Sequence, residues 1–218
     1  MTARLCWLLS LVFLGGGLLV IPFTGLDLLA SRSLLHACPP WEAFSNAWGY
    51  LPWRVLEWLS LVFIVGGLIV KRPRVWRSGL FLLLMGFLVT TVVVHLLLKP
   101  YFGRPRPFAT QTFGGPEQYR EWISPAPSSV DREVNHSFPS GHAAAAAAAL
   151  APFWVIARPR WRGVALALGL AWWFYVSAGR VMMNVHFVSD TLASLWLTVF
   201  FGGLLAWLIK PLGIKKQV

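Results

Sequence analysis

Two histidines carry the first chemical signal: His142, in Phe138-Pro139-Ser140-Gly141-His142, and His186, in Arg180-Val-Met-Met-Asn-Val-His186-Phe-Val-Ser-Asp190. His186 and Asp190 are spaced i, i+4. On a helix they would share a face, so that the carboxylate accepts a hydrogen bond from one imidazole nitrogen while the other faces a substrate. That is a nucleophile or base with its orienting group. A His-Asp pair that only closes a helix terminus has the same spacing. Ser140 can cap a helix that begins at Gly141, and the free N–H groups of such a helix start attract an anion. A third polar island, Lys99-Pro-Tyr-Phe-Gly-Arg104-Pro-Arg106-Pro107, adds three cations on a backbone that prolines hold extended. With Arg180, these cations could grip the several oxygens of a phosphate from different directions. Taken alone, Lys and Arg at a membrane boundary usually snorkel to headgroups.

The elements that must position these islands are apolar. Of the 218 residues 57% are apolar types and only 12% are charged, about half the charged share of an ordinary soluble domain. Apolar runs at Leu5 to Phe23, Leu56 to Val70, Leu80 to Leu98, Ala143 to Ala157, Val164 to Val176 and Phe187 to Ile209 predict six membrane spans. Three are shorter than the ~20 residues needed to cross a ~30 Å hydrocarbon core, so their helices are expected to continue into polar flanks or to sit in a thinned region. A soluble shell around six such helices is excluded by chain length. The predicted fold is therefore all-α: one domain over residues 1–218, an integral membrane bundle of six helices with a long external loop between the third and fourth.

Charge gives the bundle a direction. Arg4, Lys71, Arg72, Arg74, Arg77, Arg158, Arg160, Arg162, Lys210, Lys215 and Lys216 fall on one side of a six-span chain with no acid among them. All eight acids, Asp27, Glu42, Glu57, Glu117, Glu121, Asp131, Glu133 and Asp190, fall on or near the other. By the positive-inside rule the basic side and both termini are cytoplasmic, and the three islands face the periplasm or exterior of a cytoplasmic membrane. The formal charge of +11 is thus a sidedness signal. Nucleic-acid binding is excluded as its meaning, because the cations are short stop signals between spans, not a patch on a soluble face.

The connections are informative where they are long. Residues 24–54 mix Trp41, Trp48, Tyr50 and Trp53 with leucines, as expected of a segment in the headgroup layer whose aromatics anchor helices. Residues 99–141 carry too many prolines and glycines for a continuous helix, including Pro125 and Pro127. Their length by itself suggests function. Within them Thr110 to Trp122, with Phe113 and Tyr119, is the expected substrate-selecting loop, and Arg104 an expected substrate-positioning residue. The alanine run Ala143 to Ala149 reads as close helix packing. Cys6 lies within the first span and Cys38 in the first external connection, which disfavours a disulfide between them. Leu35 to Cys38 loosely matches a lipoprotein cleavage box, but Asp27 and Arg32 interrupt the approach to it.

The motif spacings carry a resemblance. Lys99, six residues, Arg106-Pro107; then Pro139-Ser140-Gly141-His142; then Arg180, five residues, His186, three residues, Asp190 resemble, in order and spacing, the signature of the type 2 phosphatidic acid phosphatase family, in a bacterial form, over about residues 50–210. The family often has Ser immediately before the third-motif Arg, where this chain has Gly179. The resemblance implies six membrane helices, metal-independent hydrolysis of a lipid phosphate monoester or diphosphate at the outer leaflet, no cofactor, and sensitivity to vanadate. His186 would then be the nucleophile, Asp190 its orienting group and His142 the acid for the leaving oxygen. Lys99, Arg106, Arg180 and the Ser140 and Gly141 amides would bind phosphate. Expected partners are a membrane lipid phosphate and the bilayer, the lipid being undecaprenyl diphosphate, phosphatidylglycerol phosphate, phosphatidic acid or a lipid A phosphate. Two rival readings are a phosphotransferase that uses the same intermediate and a non-catalytic anion channel or transporter. Oligomeric state is not legible in the sequence.

Overall fold

A computed structural model describes the backbone of residues 3–125 and 136–212, and the side chains from residue 7 onward within those ranges. Asp131, Glu133, Pro127, Lys215 and Lys216 lie outside the described residues, as do the side chains of Arg4 and Cys6. In hydrocarbon every backbone N–H and C=O must be satisfied within the segment, so long apolar runs become helices. Helix α1 spans Ala3–Thr24, α2 Leu26–Leu34, α3 Pro39–Trp48 and α4 Leu51–Ile69. Helix α5, Pro73–Gly86, continues through a π-helical stretch, Phe87–Leu98, into α6, Lys99–Phe102. Then come α7, Gly141–Ala147, a 3-10 turn, Ala148–Leu150, α8, Pro152–Val155, α9, Pro159–Met182, and α10, Val188–Ile209. Among the described residues there is no strand, and the architecture is a helical membrane bundle.

Among the described residues, five helical stretches are long and apolar enough to cross a membrane. The second and fifth expected spans do continue into polar flanks, α4 starting at Leu51 and α9 covering Pro159–Met182. The fourth does not. Gly141–Val155 stays short, about 22 Å at 1.5 Å per residue. Pro152 removes a helical N–H and interrupts the run. A short span is tolerated here because α7 is enclosed by α4, the π-helical stretch, α9 and α10, with Ala143 to Ala148 all at most 2% exposed. Methyl-sized side chains let four neighbours close around it.

Helices α4 and α5 form a tight hairpin. Lys71 turns the chain at φ 51 and Pro73 starts the next helix. A Cβ at Gly67 would stand 2.3 Å from the Trp76 backbone nitrogen, and one at Gly79 2.5 Å from the Ser60 carbonyl, so the two backbones nearly touch. The connection from 24 to 54 is more ordered than a headgroup-layer segment need be. It holds α2 and α3, and Trp41 stacks on Tyr175 of α9 at 4.7 Å while its Nε1 donates to the Tyr175 carbonyl at 2.7 Å. Trp48 is half exposed.

Alternating helix direction sorts the ends. The basic ends of α4, α5, α9 and α10 lie together: Leu212 N–H donates to Ser78 Oγ of α5, and Arg162 Nε to the Phe153 carbonyl of α8. The end of α6 and of α9, and the start of α7 and of α10, meet at the opposite end, where the three polar islands converge.

Candidate active site

His186 stands just outside α10. Phe187 is the N-cap residue, and the helix begins at Val188. The i, i+4 pairing with Asp190 therefore arises from a capping turn and not, as expected, from a shared helix face. Asp190, in the first turn, accepts the Phe187 N–H at 2.8 Å, half of a capping box. This folds His186 back over the carboxylate, with Nδ1 3.5 Å from Oδ2, an ion-pair distance at which Nδ1 makes no hydrogen bond among the described residues. The preceding turn is held by Asn184 at φ 56, whose carbonyl accepts the Phe108 N–H at 3.0 Å. His186 is 1% exposed. Burial pushes its imidazole down to about 4, against the opposing pull of Asp190, so the ring is neutral over the physiological range.

Asp190 is held on all sides. Oδ2 also accepts from Ser137 Oγ, and Oδ1 accepts from Arg104 Nη1 at 2.6 Å. Arg104 is buried, and its guanidinium is shared between Asp190 and Asp27 of α2, the latter at 2.9 Å. It points into protein, away from the solvent-facing part of the cluster, which differs from the substrate-positioning place expected for it. Tyr119 is likewise turned inward. Its hydroxyl donates to Glu121 at 2.8 Å, and its ring lies edge-on to Phe187 at 5.3 Å. Burial raises the pKa of both Tyr119 and Glu121. Phe113 ends a 3-10 turn, Gln111–Phe113, in a small folded loop where Thr110 pairs with Glu117. That loop is pinned by Trp122, which stacks on Phe138 and donates to the Leu18 carbonyl.

The other expected cations converge. Lys99, 6% exposed, donates to the His136 carbonyl at 2.9 Å. Arg180, 4% exposed, donates through Nη1 to Asn46 of α3 at 2.8 Å, while its buried Nε has no hydrogen-bond partner among the described residues. Arg106 is half-buried, makes no hydrogen bond or ion pair among the described residues, and lies within electrostatic range of Lys99, Arg180 and His142. Facing cations with an unsatisfied guanidinium nitrogen form a place that an anion would fill. His142, half buried, projects into it from α7.

Ser140 caps α7, its Oγ accepting the Ala143 N–H at 3.3 Å. Its own N–H, expected to bind phosphate, is taken by the Asp190 carbonyl at 3.0 Å. This bond ties α7 to α10 and leaves the amides of Gly141 and His142 at the helix start. Three further residues line the cluster that spacing did not reveal. Tyr50 lies edge-on to His142 at 4.5 Å, Asn46 holds Arg180, and His95 covers Gly141 so closely that a Cβ there would lie 2.5 Å from its Nε2. Asn46 lies 134 residues from Arg180 in the chain. The only signal for Tyr50 was its place beside a helix start at the polar edge of the bundle.

Comparison with known proteins decides the family. The model of the PAP2 superfamily matches residues 79–213, which takes in all three islands. The chain belongs to the PAP2 superfamily. It is a lipid phosphatase of that family, embedded in a membrane by apolar helices. It is similar to a lipid A 4′-phosphatase of Rhizobium leguminosarum, 28% identical over 209 residues, covering 84% of this chain and 88% of that one. It is also similar to a lipid A 4′-phosphatase of Rhizobium etli, 35% identical over 138 residues, covering 62% of this chain and about half, 51%, of the relative. No solved structure matches.

The departure at Gly179 has a packing cause in this PAP2 protein. A Cβ there would stand 2.4 Å from Ser45 Cβ of α3, and Ser45 Oγ is fixed on the Val176 carbonyl at 2.8 Å. A serine at 179 would push α3 off α9, so Gly179→Ser is expected to destabilise the protein by about 1–3 kcal/mol. Thermal unfolding of the detergent-solubilised variant checks this; an unchanged midpoint would refute the packing account.

Proposed function

We propose that the protein hydrolyses a lipid phosphomonoester at the outer face of the cytoplasmic membrane through a phosphohistidine, without a metal, and that a lipid A phosphate is its substrate. The observation that carries the chemistry is His186, whose Nδ1 is turned to Asp190 and whose Nε2 is left for phosphorus. In the first step the Nε2 lone pair forms a bond to phosphorus as the bond to the lipid oxygen breaks. His142 gives that oxygen its proton. Lys99, Arg106, Arg180 and the Gly141 amide take the charge on the equatorial oxygens. In the second step His142 accepts a proton from water, whose oxygen attacks phosphorus. The N–P bond then returns to His186 as a lone pair and phosphate leaves.

The lipid is argued from the relatives. A similarity that covers most of both chains, with a protein named for removing the 4′-phosphate of lipid A, puts that phosphate ahead of the three other lipids considered. The outer-face placement is argued from charge, since the islands sit at the end of the bundle opposite Lys71, Arg74, Arg160 and Lys210. Phosphate release from purified lipid A, phosphatidic acid, phosphatidylglycerol phosphate and undecaprenyl diphosphate tests the substrate. Release from the other three but not from lipid A would refute it.

The donor set supports the metal-free reading. Both Asp190 oxygens are already occupied by Arg104, Ser137 and the Phe187 amide, which leaves that carboxylate poorly placed to ligate an ion. Dialysis against a chelator is expected to leave the rate within about twofold. Loss of activity restored by a divalent ion would favour a site made of His142, His186 and Asp190.

A further inference from the structure

Asp27 belongs to no motif, yet it is fully buried at the start of α2, 163 residues before Asp190 in sequence, and it reaches the same guanidinium. Arg104 has five N–H donors, and five acceptors surround them. Nε donates to the Arg120 carbonyl at 2.8 Å. Nη1 donates to Asp190 Oδ1 at 2.6 Å and Ser189 Oγ at 2.7 Å. Nη2 donates to Asp27 Oδ2 at 2.9 Å and, more weakly, to Tyr119 Oη at 3.4 Å. No donor is left over for a substrate oxygen, and the plane lies against Phe187, 4.2 Å from its ring centre. Asp27 is as fully used: Oδ1 accepts the Ser189 N–H at 2.8 Å and Oδ2 accepts Ser189 Oγ.

We propose that Asp27 and Arg104 are positioning residues of the reaction: the buried chain Asp27–Arg104–Asp190 locks the Asp190 carboxylate and thereby aims the His186 ring. This rests on the phosphohistidine reading above. A buried ion triad is a weak source of stability compared with apolar side chains of the same volume, so its retention calls for another role. The geometry supplies one. The Phe187 amide and Ser137 reach only Oδ2. Without Arg104 on Oδ1 the carboxylate could turn about its terminal bond, and the oxygen that faces Nδ1 would lose its direction. Arg104 is itself unable to tilt, because Asp27 holds its other nitrogen from α2. A helix outside the three polar islands thus sets the angle of the nucleophile, through a guanidinium whose two-pronged shape a lysine cannot copy.

The test uses oxygen exchange between [18O]phosphate and water by the full-length protein in detergent, which needs no knowledge of the lipid. His186 Nε2 bonds to phosphorus as one P–O bond breaks, and that oxygen leaves as water with a proton from His142. Solvent water then reverses the step and releases phosphate with one oxygen replaced. The monodisperse fraction of each variant is assayed. Asp27→Asn, which keeps the shape of the side chain, is expected to lower kcat for exchange about 10-fold and Arg104→Lys about 100-fold, with KM within about twofold for both. Because Asp27 acts through Arg104, the double variant should match Arg104→Lys to within about threefold. If Arg104→Lys does not fold, Asp27→Asn decides alone. An unchanged kcat makes the triad purely structural, and a raised KM with unchanged kcat places Arg104 on phosphate; either result overturns the proposal. His186→Ala is run in parallel. Exchange that survives in it overturns the phosphohistidine reading itself, whereas exchange lost there but intact in Asp27→Asn and Arg104→Lys overturns only the positioning role.

Discussion

His186→Ala is expected to abolish lipid phosphate hydrolysis, lowering kcat by at least about 10⁴-fold, because loss of a nucleophile leaves only binding and charge stabilisation. The cations of Lys99, Arg106 and Arg180 would still attract the substrate, so KM should change little. The phosphorus would have nothing to receive it. Phosphate release by the monodisperse variant checks this, and full activity would remove His186 from the chemistry. The same residue sets a pH signature. Protonated imidazole has no lone pair to donate, so activity should be lost as pH falls through the pKa of His186. Burial holds that value down at about 4. After correction for the ionisation of the substrate and of His142, which must carry a proton to act as the acid, kcat/KM should show an acid limb that falls near 4. A half-fall near the ordinary histidine value would contradict a buried nucleophile.

His142→Ala is expected to cost about 10²–10⁴-fold on a lipid phosphate. It should cost far less on an aryl phosphate, whose leaving oxygen departs without a proton. The motive is placement: His142 is half buried where His186 is fully buried, and it stands edge-on to Tyr50 among Arg106, Arg180 and Lys99. From that position it can exchange protons with solvent and with the leaving oxygen. Equal losses on both substrates would argue for a structural or phosphate-binding role instead. The difference between substrates, not the size of either loss, makes this a test of acid catalysis.

Helix placement was largely legible because apolar runs and basic stop signals obey the same solvent rule that builds the helices. The fourth span is as short as its apolar run, without the polar continuation expected of it. Composition cannot tell an apolar segment that faces lipid from one enclosed by four neighbours, and only the former must match the hydrocarbon thickness. Within the candidate site, His186 and Asp190 do approach to 3.5 Å, but through a capping turn and without the expected hydrogen bond at Nδ1 among the described residues. A capping turn and a helix face both bring i to i+4, and sequence does not separate them. The Ser140 amide was misassigned for a related reason, since its partner, the Asp190 carbonyl, is a backbone group with no residue-type signal.

The sequence by itself determined the membrane bundle, the convergence of the three islands at one end and the residue types for phosphate chemistry, because all of these follow from local patterns of hydropathy, charge and spacing. Only the tertiary structure decided how the site is held. It brought Asp27, Asn46, Ser45 and Tyr50 from α2, α3 and the turn after it to Arg104, Arg180, Gly179 and His142. It also turned Arg104 and Tyr119 inward, toward Asp190, Phe187 and Glu121. These pairings join segments far apart in the chain through buried hydrogen bonds and close packing. Their energies depend on which helix faces meet, a property of the assembled bundle that no single segment encodes.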